Sequence, residues 1–377
     1  MMSRPGCMTN RTLEEKMHHS DRRSRARVLS ALLVGALLLP ALPAAASSSR
    51  DEVPLGVVDV EGVDVPILAK FSFRHRINND NPLVSGLVHG VRRVEGGTVL
   101  YYSMGVASSE DQFSRYYAFR DQPPPYDPSS GADVSLVDTA GLKAYRPLYD
   151  GTTTFAVNRS ELDGTAGVLR VGWAVFPELS EGVEKVQVLL TSNTSAGEVP
   201  VEEGVLEPTV DATSVVLGEG WPEVPQGAEL AGADPAAVTF ELTRRSGSID
   251  GAASVDETTE QVAVTLDANV LFDKEAAGLR PEAQQALADV AADIAARGTG
   301  EVVVVGHTDS DGSDASNQVL SEQRAASVVA ALQPAAGGAV TFRAEGRGEA
   351  EPVVPNDSPE NMQLNRRVTV TYQVKEQ

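Results

Sequence analysis

The sequence predicts a multidomain chain: an N-terminal all-β, sandwich-like domain and a C-terminal α+β domain of order βαβαββ, with helices on one mixed sheet. Three observations carry this. The chain has 377 residues, more than one core usually organises. Leu169, Val171, Trp173 and Val175 alternate with Arg170, Gly172 and Ala174, the period of a half-buried strand. After Pro281 the period lengthens, with Ala283, Leu287, Val290 and Ile294 stepping by four, three and four, the apolar stripe of a helix.

The first 46 residues read as a secretory signal peptide. Arg22, Arg23, Arg25 and Arg27 precede the apolar run 28–42, and Ala44-Ala45-Ala46 supplies small residues for cleavage before Ser47. The run carries Pro40, is followed by Pro43 and is shorter than the roughly 20 residues a membrane span needs, so cleavage near Ala46 is expected. Met1 and Met17 serve equally as the start. Export through the Sec route is the default, and the Arg22-Arg23 pair leaves the twin-arginine route open. The single cysteine, Cys7, lies before the apolar run. The mature chain is therefore expected to hold together by core burial alone, in a compartment that would permit disulfides.

Residues 50–203 form the expected β-rich domain. Segments 99–104, 168–176 and 185–191 are strand-like, and Glu95-Gly96-Gly97, Pro123-Pro124-Pro125 and Asp163-Gly164 mark turns between strands. Arg74-His75-Arg76 and Arg92-Arg93 read as solvated strand edges. Tyr101-Tyr102 and Tyr116-Tyr117 read as strand core. Residues 204–260 turn to Gly, Pro, Glu, Asp and Ala, with Trp221-Pro222 and Pro225. They read as a linker with one strand inside it, 238–242.

From 261 to 377 the pattern becomes strand (262–272), helix opened by Pro281, strand (302–306), helix (317–332), strand (340–346) and strand (367–372). The run Gly306-His307-Thr308-Asp309-Ser310-Asp311-Gly312 joins the second strand to the second helix. Asp309 stands at the strand exit, and Asn317 and Arg324, seven residues apart, share one side of the helix. An acid and a base around one loop can bind a zwitterion.

Composition narrows the function. The net charge is −22, and the leader holds seven Lys/Arg against three Asp/Glu, so removing its +4 leaves −26. Such a surface argues against nucleic acid and anionic lipid as partners. Aromatic residues make up 5% of the chain, too few for the girdles of a membrane β-barrel. Beyond the leader the histidines are His75, His89 and His307, with no His-Glu-x-x-His pair, no cysteine nucleophile and no Gly-x-Ser-x-Gly elbow. Zinc, thiol and serine hydrolase chemistry thus lack their parts. Glycosidase chemistry needs only two carboxylates, but no motif singles out a pair. The chain is read as a non-enzyme without cofactor. Asp309-Ser310-Asp311-Gly312-Ser313-Asp314 misplaces the glycine of an EF-hand loop, and Leu320 stands where the closing acid belongs.

Several ordered marks now accumulate: Phe272-Asp273, Leu279-Arg280-Pro281-Glu282, Gly306-His307-Thr308-Asp309 with Gly312, Asn317 to Ala325, Gly346 and Gly348, and Asn365-Arg366-Arg367-Val368. On these the segment 262–374 resembles the OmpA-like C-terminal domain, the peptidoglycan-associating module also found in Pal-type lipoproteins and flagellar stator proteins. The resemblance implies noncovalent binding to diaminopimelate of peptidoglycan stem peptides, with Asp309 and Arg324 as main ligands. Asn317 and Thr308 can add hydrogen bonds. Arg366 is a further candidate, although Asn365-Arg366-Arg367 can equally pin the loop beside the site. Taken alone, Asp309 reads as a turn or helix-capping residue and Arg324 as a solvated helix face; the resemblance implies ligand roles for both. A lysine-type stem lacks the carboxylate and would leave Arg324 unpaired.

The departures also count. The chain has no lipid-accepting cysteine after the signal sequence, no persistent membrane helix and no barrel ahead of the module, which puts outer-membrane tethering in doubt. The expectation is an exported, wall- or periplasm-associated protein that anchors an N-terminal β-domain with an unknown protein or envelope partner. Two other readings stay open at this point: a wall-targeted enzyme or inhibitor, and a self-associating structural protein without wall affinity.

Overall fold

The computed structural model describes residues 54–375, apart from 75–82, 107–125, 127–129, 132, 163, 192–193 and 250. The expected signal peptide with Cys7 lies outside the described residues. So do His75, Arg76, Tyr116-Tyr117, Pro123-Pro124-Pro125 and Asp163. No described helix is long and apolar enough to cross a membrane.

The described chain is mostly β. Its first ten strands are β1 (Gly56–Val60), β2 (Val63–Ile67), β3 (Ala69–Arg74), β4 (Leu83–Val94), β5 (Gly97–Val106), β6 (Ser135–Asp138), β7 (Lys143–Tyr145), β8 (Arg170–Phe176), β9 (Lys185–Leu190) and β10 (Thr194–Glu203). β1 and β2 form a hairpin of their own. The other eight lie on one hydrogen-bonded path, in the order β8, β5, β4, β10, β9, β6, β7, with β3 also on β4. The strands expected to form a sandwich-like domain thus lie on a single continuous path. The reason is β10, which pairs antiparallel with β9 through Pro200 and then parallel with β4 from Val201 to Glu203. Leu100, Tyr102 and Met104 of β5 share one core with Leu136 of β6 and Val186 and Val188 of β9, so the path doubles back on itself.

The other face of β5 explains the segment 204–260. Val99 and Tyr101 pack with Leu206, Val215, Trp221, Val224, Leu230 and Val238. The expected linker therefore covers a sheet. Its apolar residues are spread too widely to show any strand or helix period, which is why composition alone reads as a connector. The one strand expected inside it is present as Thr239–Glu241 on β7. Only Leu242 and Thr243 separate that strand from Arg244–Gly247, the first strand of the second sheet. Arg92 and Arg93 also differ from a solvated edge. β4 has neighbours on both sides, Arg92 pairs with Glu202 at 2.8 Å, and the Arg93 guanidinium donates to the carbonyls of Leu179, Ser180 and Val183.

The second sheet is mixed and runs Arg244–Gly247, Ala253–Glu257, Gln261–Asp267, Arg367–Val374, Gly298–Gly306, Val340–Gly346. Gly298–Gly306 and Val340–Gly346 are parallel and the other neighbours antiparallel. The helices Ala283–Arg297 and Asp314–Leu332 bury Leu287, Ile294, Ala325, Val328 and Leu332 against Val264, Val302, Val304 and Val370. This is the expected α+β order, extended by a leading hairpin and a short helix, Pro359–Asn365. Arg297 on the first long helix pairs with Glu257, which ties the hairpin to the layer behind it. The strand expected over 262–272 stops at Asp267. Its side chain accepts from Asn269 N at 2.7 Å and caps a helical turn, Ala268–Leu271.

Candidate functional site

Strand-to-helix geometry builds the site. Gly306 and Gly346 are paired across the parallel strands, and a Cβ at Gly306 would lie 2.2 Å from the Ser321 carbonyl oxygen. Two glycines therefore let the Asp314 helix settle directly on the strand ends. Ser313 caps that helix, its hydroxyl accepting from Ser316 N and its own N–H donating to the Ser316 hydroxyl. Gly312, with φ +103°, makes the turn into the cap. The helix begins at Asp314, three residues earlier than its apolar period alone indicates.

The five candidate residues converge. Asp309 is 6% exposed, Arg324 5%, Asn317 4% and Thr308 4%. Asp309 Oδ2 accepts from Arg366 Nη1 at 2.5 Å, and Oδ1 accepts from Asp311 N at 3.2 Å. Asn317 Nδ2 donates to Asp309 O at 3.2 Å and to Glu349 Oε2 at 2.7 Å. Both amide hydrogens are thereby used, which leaves Asn317 Oδ1 as the acceptor end of the side chain. The Thr308 hydroxyl has no protein partner in its buried position, while Thr308 N donates to Gly348 O at 2.9 Å.

Arg324 is held differently. Its Nε donates to Ala276 O at 2.9 Å, Nη2 reaches Asp273 O at 3.5 Å, and the guanidinium carbon stands 5.1 Å from the centre of the Phe272 ring. No described carboxylate lies within ion-pair distance. Burial pushes the guanidinium pKa down, the Asp309 charge opposes that shift, and Arg366 adds to it. Arg324, Asp309 and Arg366 are therefore one electrostatic group.

The two readings of Asn365-Arg366-Arg367 separate in space. Asn365 pins the loop: its Oδ1 accepts from Val353 N and Val354 N, and its Nδ2 donates to Val354 O and Asn356 Oδ1. Arg366 instead enters the site, bridging Asp309 and Asn269 Oδ1. Sequence reasoning missed Glu349, Asn269 and the carbonyls of Asp273 and Ala276. The Phe272-Asp273 mark was their only signal, since carbonyl ligands leave no trace in residue identity.

The two described histidines beyond the leader are core residues. His89 is fully buried between Pro66 O at 2.7 Å and Ser103 Oγ at 2.9 Å, and desolvation lowers its pKa to about 4. His307 is 3% exposed, and burial with Arg367 and Arg347 nearby lowers it to about 4 as well. Neither is poised for proton transfer near neutral pH.

The C-terminal α+β layer thus carries a buried charged cluster at one strand-to-helix loop. Residues 271–366 match the OmpA family model, and the C-terminal part of this chain is an OmpA-like domain. Over 115 residues the chain is 39% identical to photosystem I P700 chlorophyll a apoprotein A2 of Gloeobacter violaceus, a match covering 29% of this chain and 13% of that protein. Over 107 residues it is 37% identical to outer membrane protein A of Bordetella avium, covering 28% and 55%. Among solved structures it is similar to the cell wall anchor of the T6SS from Pseudomonas aeruginosa, at 33% identity over 33% of this chain and 89% of that one, with a TM-score of 0.31.

Proposed function

We propose that this is an exported, non-enzymatic cell-envelope protein whose C-terminal domain, about 261–377, binds peptidoglycan noncovalently through diaminopimelate and anchors the β-rich part, about 50–203, at the wall. The observation that carries the reading is the convergence of Asp309 and Arg324 in an OmpA-like domain, with Arg324 lacking a carboxylate partner among the described residues. The far end of diaminopimelate bears an ammonium and a carboxylate on one carbon. The forked guanidinium suits the carboxylate, and the Asp309 carboxylate suits the ammonium. Asp309 retains acceptor capacity beside Arg366 and Asp311 N, since a carboxylate offers about four lone-pair positions. The Thr308 hydroxyl and the Asn317 side chain are the candidates for further hydrogen bonds to the ligand, and Arg366 holds Asp309 in place.

Co-sedimentation of the mature protein with purified diaminopimelate-containing sacculi tests this, with Asp309→Asn and Arg324→Gln alongside. The expected result is salt-resistant retention of wild type and loss of both variants, each with wild-type far-UV circular dichroism. Folded wild type left in the supernatant would sink the anchor reading. Self-association seen in ultracentrifugation would then become the reading to pursue.

A further inference from the structure

A chain of polar contacts leaves the C-terminal domain and enters the β-rich part. Arg244 and Glu257 stand opposite each other in the leading hairpin of the second sheet, ahead of residue 271, where the OmpA match begins. Glu257, whose side chain is 12% exposed, takes a guanidinium on each oxygen: Arg297 of the first long helix on Oε1, and Arg244 at 3.3 Å on Oε2. Arg297 Nε also donates to Asp293 Oδ1 at 2.9 Å, and Asp293 Oδ2 accepts from the hydroxyl of Tyr372, a core residue of the sheet. On the other side, Arg244 Nη2 donates to Thr139 O at 2.5 Å, in the turn between β6 and β7. That turn is itself fixed. Asp138 Oδ1 accepts from Ala140 N and Gly141 N, and Leu142 is buried at φ +51°, a left-handed conformation that a non-glycine residue keeps only where its surroundings impose it. Leu242 N donates to Leu142 O at 2.8 Å, and Thr259 Oγ1 of the second sheet donates to Glu241 Oε2 at 2.6 Å.

We propose that Glu257 closes a latch that locks the β-rich part and the C-terminal domain into one body, so that the chain is a fixed bracket and not two domains on a tether. Independent domain motion is the default where an interface is small and the connection free. Here the connection is bonded at Leu242, and a largely desolvated carboxylate joins two guanidinium groups, one from each end of the joint. A glutamine in its place keeps the shape but offers one neutral acceptor oxygen to two cations. Arg244 then retains only Thr139 O, and its charge faces that of Arg297 without the anion between them. Arg244 is 49% exposed, so solvent screens its share of the pair, and the latch opens locally with neither part unfolding. A chain anchored at its C-terminal domain presents its β-rich part in a single orientation.

Nitrogen-15 relaxation and amide hydrogen exchange of the mature full chain, both read by NMR, provide the test. The two sheets should tumble with one correlation time in wild type and with two in Glu257→Gln. The Leu242 amide reports opening of the joint in the same samples. Loss of a hydrogen bond to a charged group, discounted for the exposure of Arg244, corresponds to about 3- to 10-fold faster exchange, expected for Glu257→Gln and for Arg244→Met. The amides of Leu100 and Val304, in the two cores, should keep wild-type rates, which shows both parts folded. Arg245→Met serves as control: Arg245 pairs with Asp256 on the opposite, exposed face of the same hairpin, and its loss should leave Leu242 unchanged. Two correlation times in wild type would overturn the locked body. Leu242 exchange within about twofold of wild type in both latch variants, or equal acceleration in Arg245→Met, would overturn the role of Glu257. Neither readout involves a wall ligand, so the result is independent of the anchoring reading.

Discussion

Gly306→Ala probes the step that creates the site. The added methyl would sit 2.2 Å from Ser321 O, 3.0 Å from its carbonyl carbon and 3.2 Å from its Cα. All three are backbone atoms inside a helix, so no rotamer change relieves the clash. Ordinary separations of about 3.5 Å require the Asp314 helix to retreat by about 1 Å, and overpacking of this kind costs about 1 to 3 kcal/mol. The same turn meets Gly346, whose Cβ would lie 2.5 Å from Glu322 N. One retreat relieves both contacts, so the double variant should cost less than the sum of the singles. Two probes separate the parts of the chain: described α-helix occurs only between 268 and 365, and the only two tryptophans, Trp173 and Trp221, lie in the β-rich part. Urea unfolding followed at 222 nm should show the loss, with the tryptophan fluorescence transition unmoved. Stem-peptide affinity should fall as well, because Arg324 rides on the displaced helix. A 222 nm transition within about 0.5 kcal/mol of wild type would refute the packing argument.

Other perturbations have equally defined outcomes. Asn365→Ala strips the partners from Val353 N and Val354 N and should cost about 1 to 3 kcal/mol in the same 222 nm assay. Arg366→Met leaves Asp309 buried without its cation, and because Arg366 is 29% exposed the cost should fall below that of a fully buried pair, at about 1 to 3 kcal/mol; unchanged stability would mean that the pair is immaterial. Ser313→Ala removes the helix cap and should lower the 222 nm midpoint by the equivalent of about 1 kcal/mol. The buried histidines set a pH dependence. With folded values of about 4 against 6.5, the unfolded chain binds the extra protons, so stability is full above pH 6.5 and declines as the pH falls toward 4. Between pH 7 and 5.5 each should cost about 1 kcal/mol, His89 read in the tryptophan transition and His307 at 222 nm. A flat profile over that interval would show both histidines protonating freely in the native state.

The sequence by itself determined the local and ordered features. Periodicity places both long helices on the sheet, because a stripe of apolar residues has only one way to be buried. Gly306 to Gly312, Asn317, Arg324 and Asn365-Arg366-Arg367 stand in an order that identifies the module and its polar residues. Tertiary structure decided what depends on pairing across long separations. Residues 204–238 cover the second face of β5, and nothing in their scattered apolar residues announces that face. β10 changes partner after Pro200, pairing with β9 and then with β4, which alternation alone does not show. Arg366 is linked to Asp309 across 57 positions, and Arg324 is committed to carbonyls whose residue identity is irrelevant to their chemistry. Side-chain type fixes which bonds a residue is able to make, while the folded backbone fixes which of those bonds are already taken.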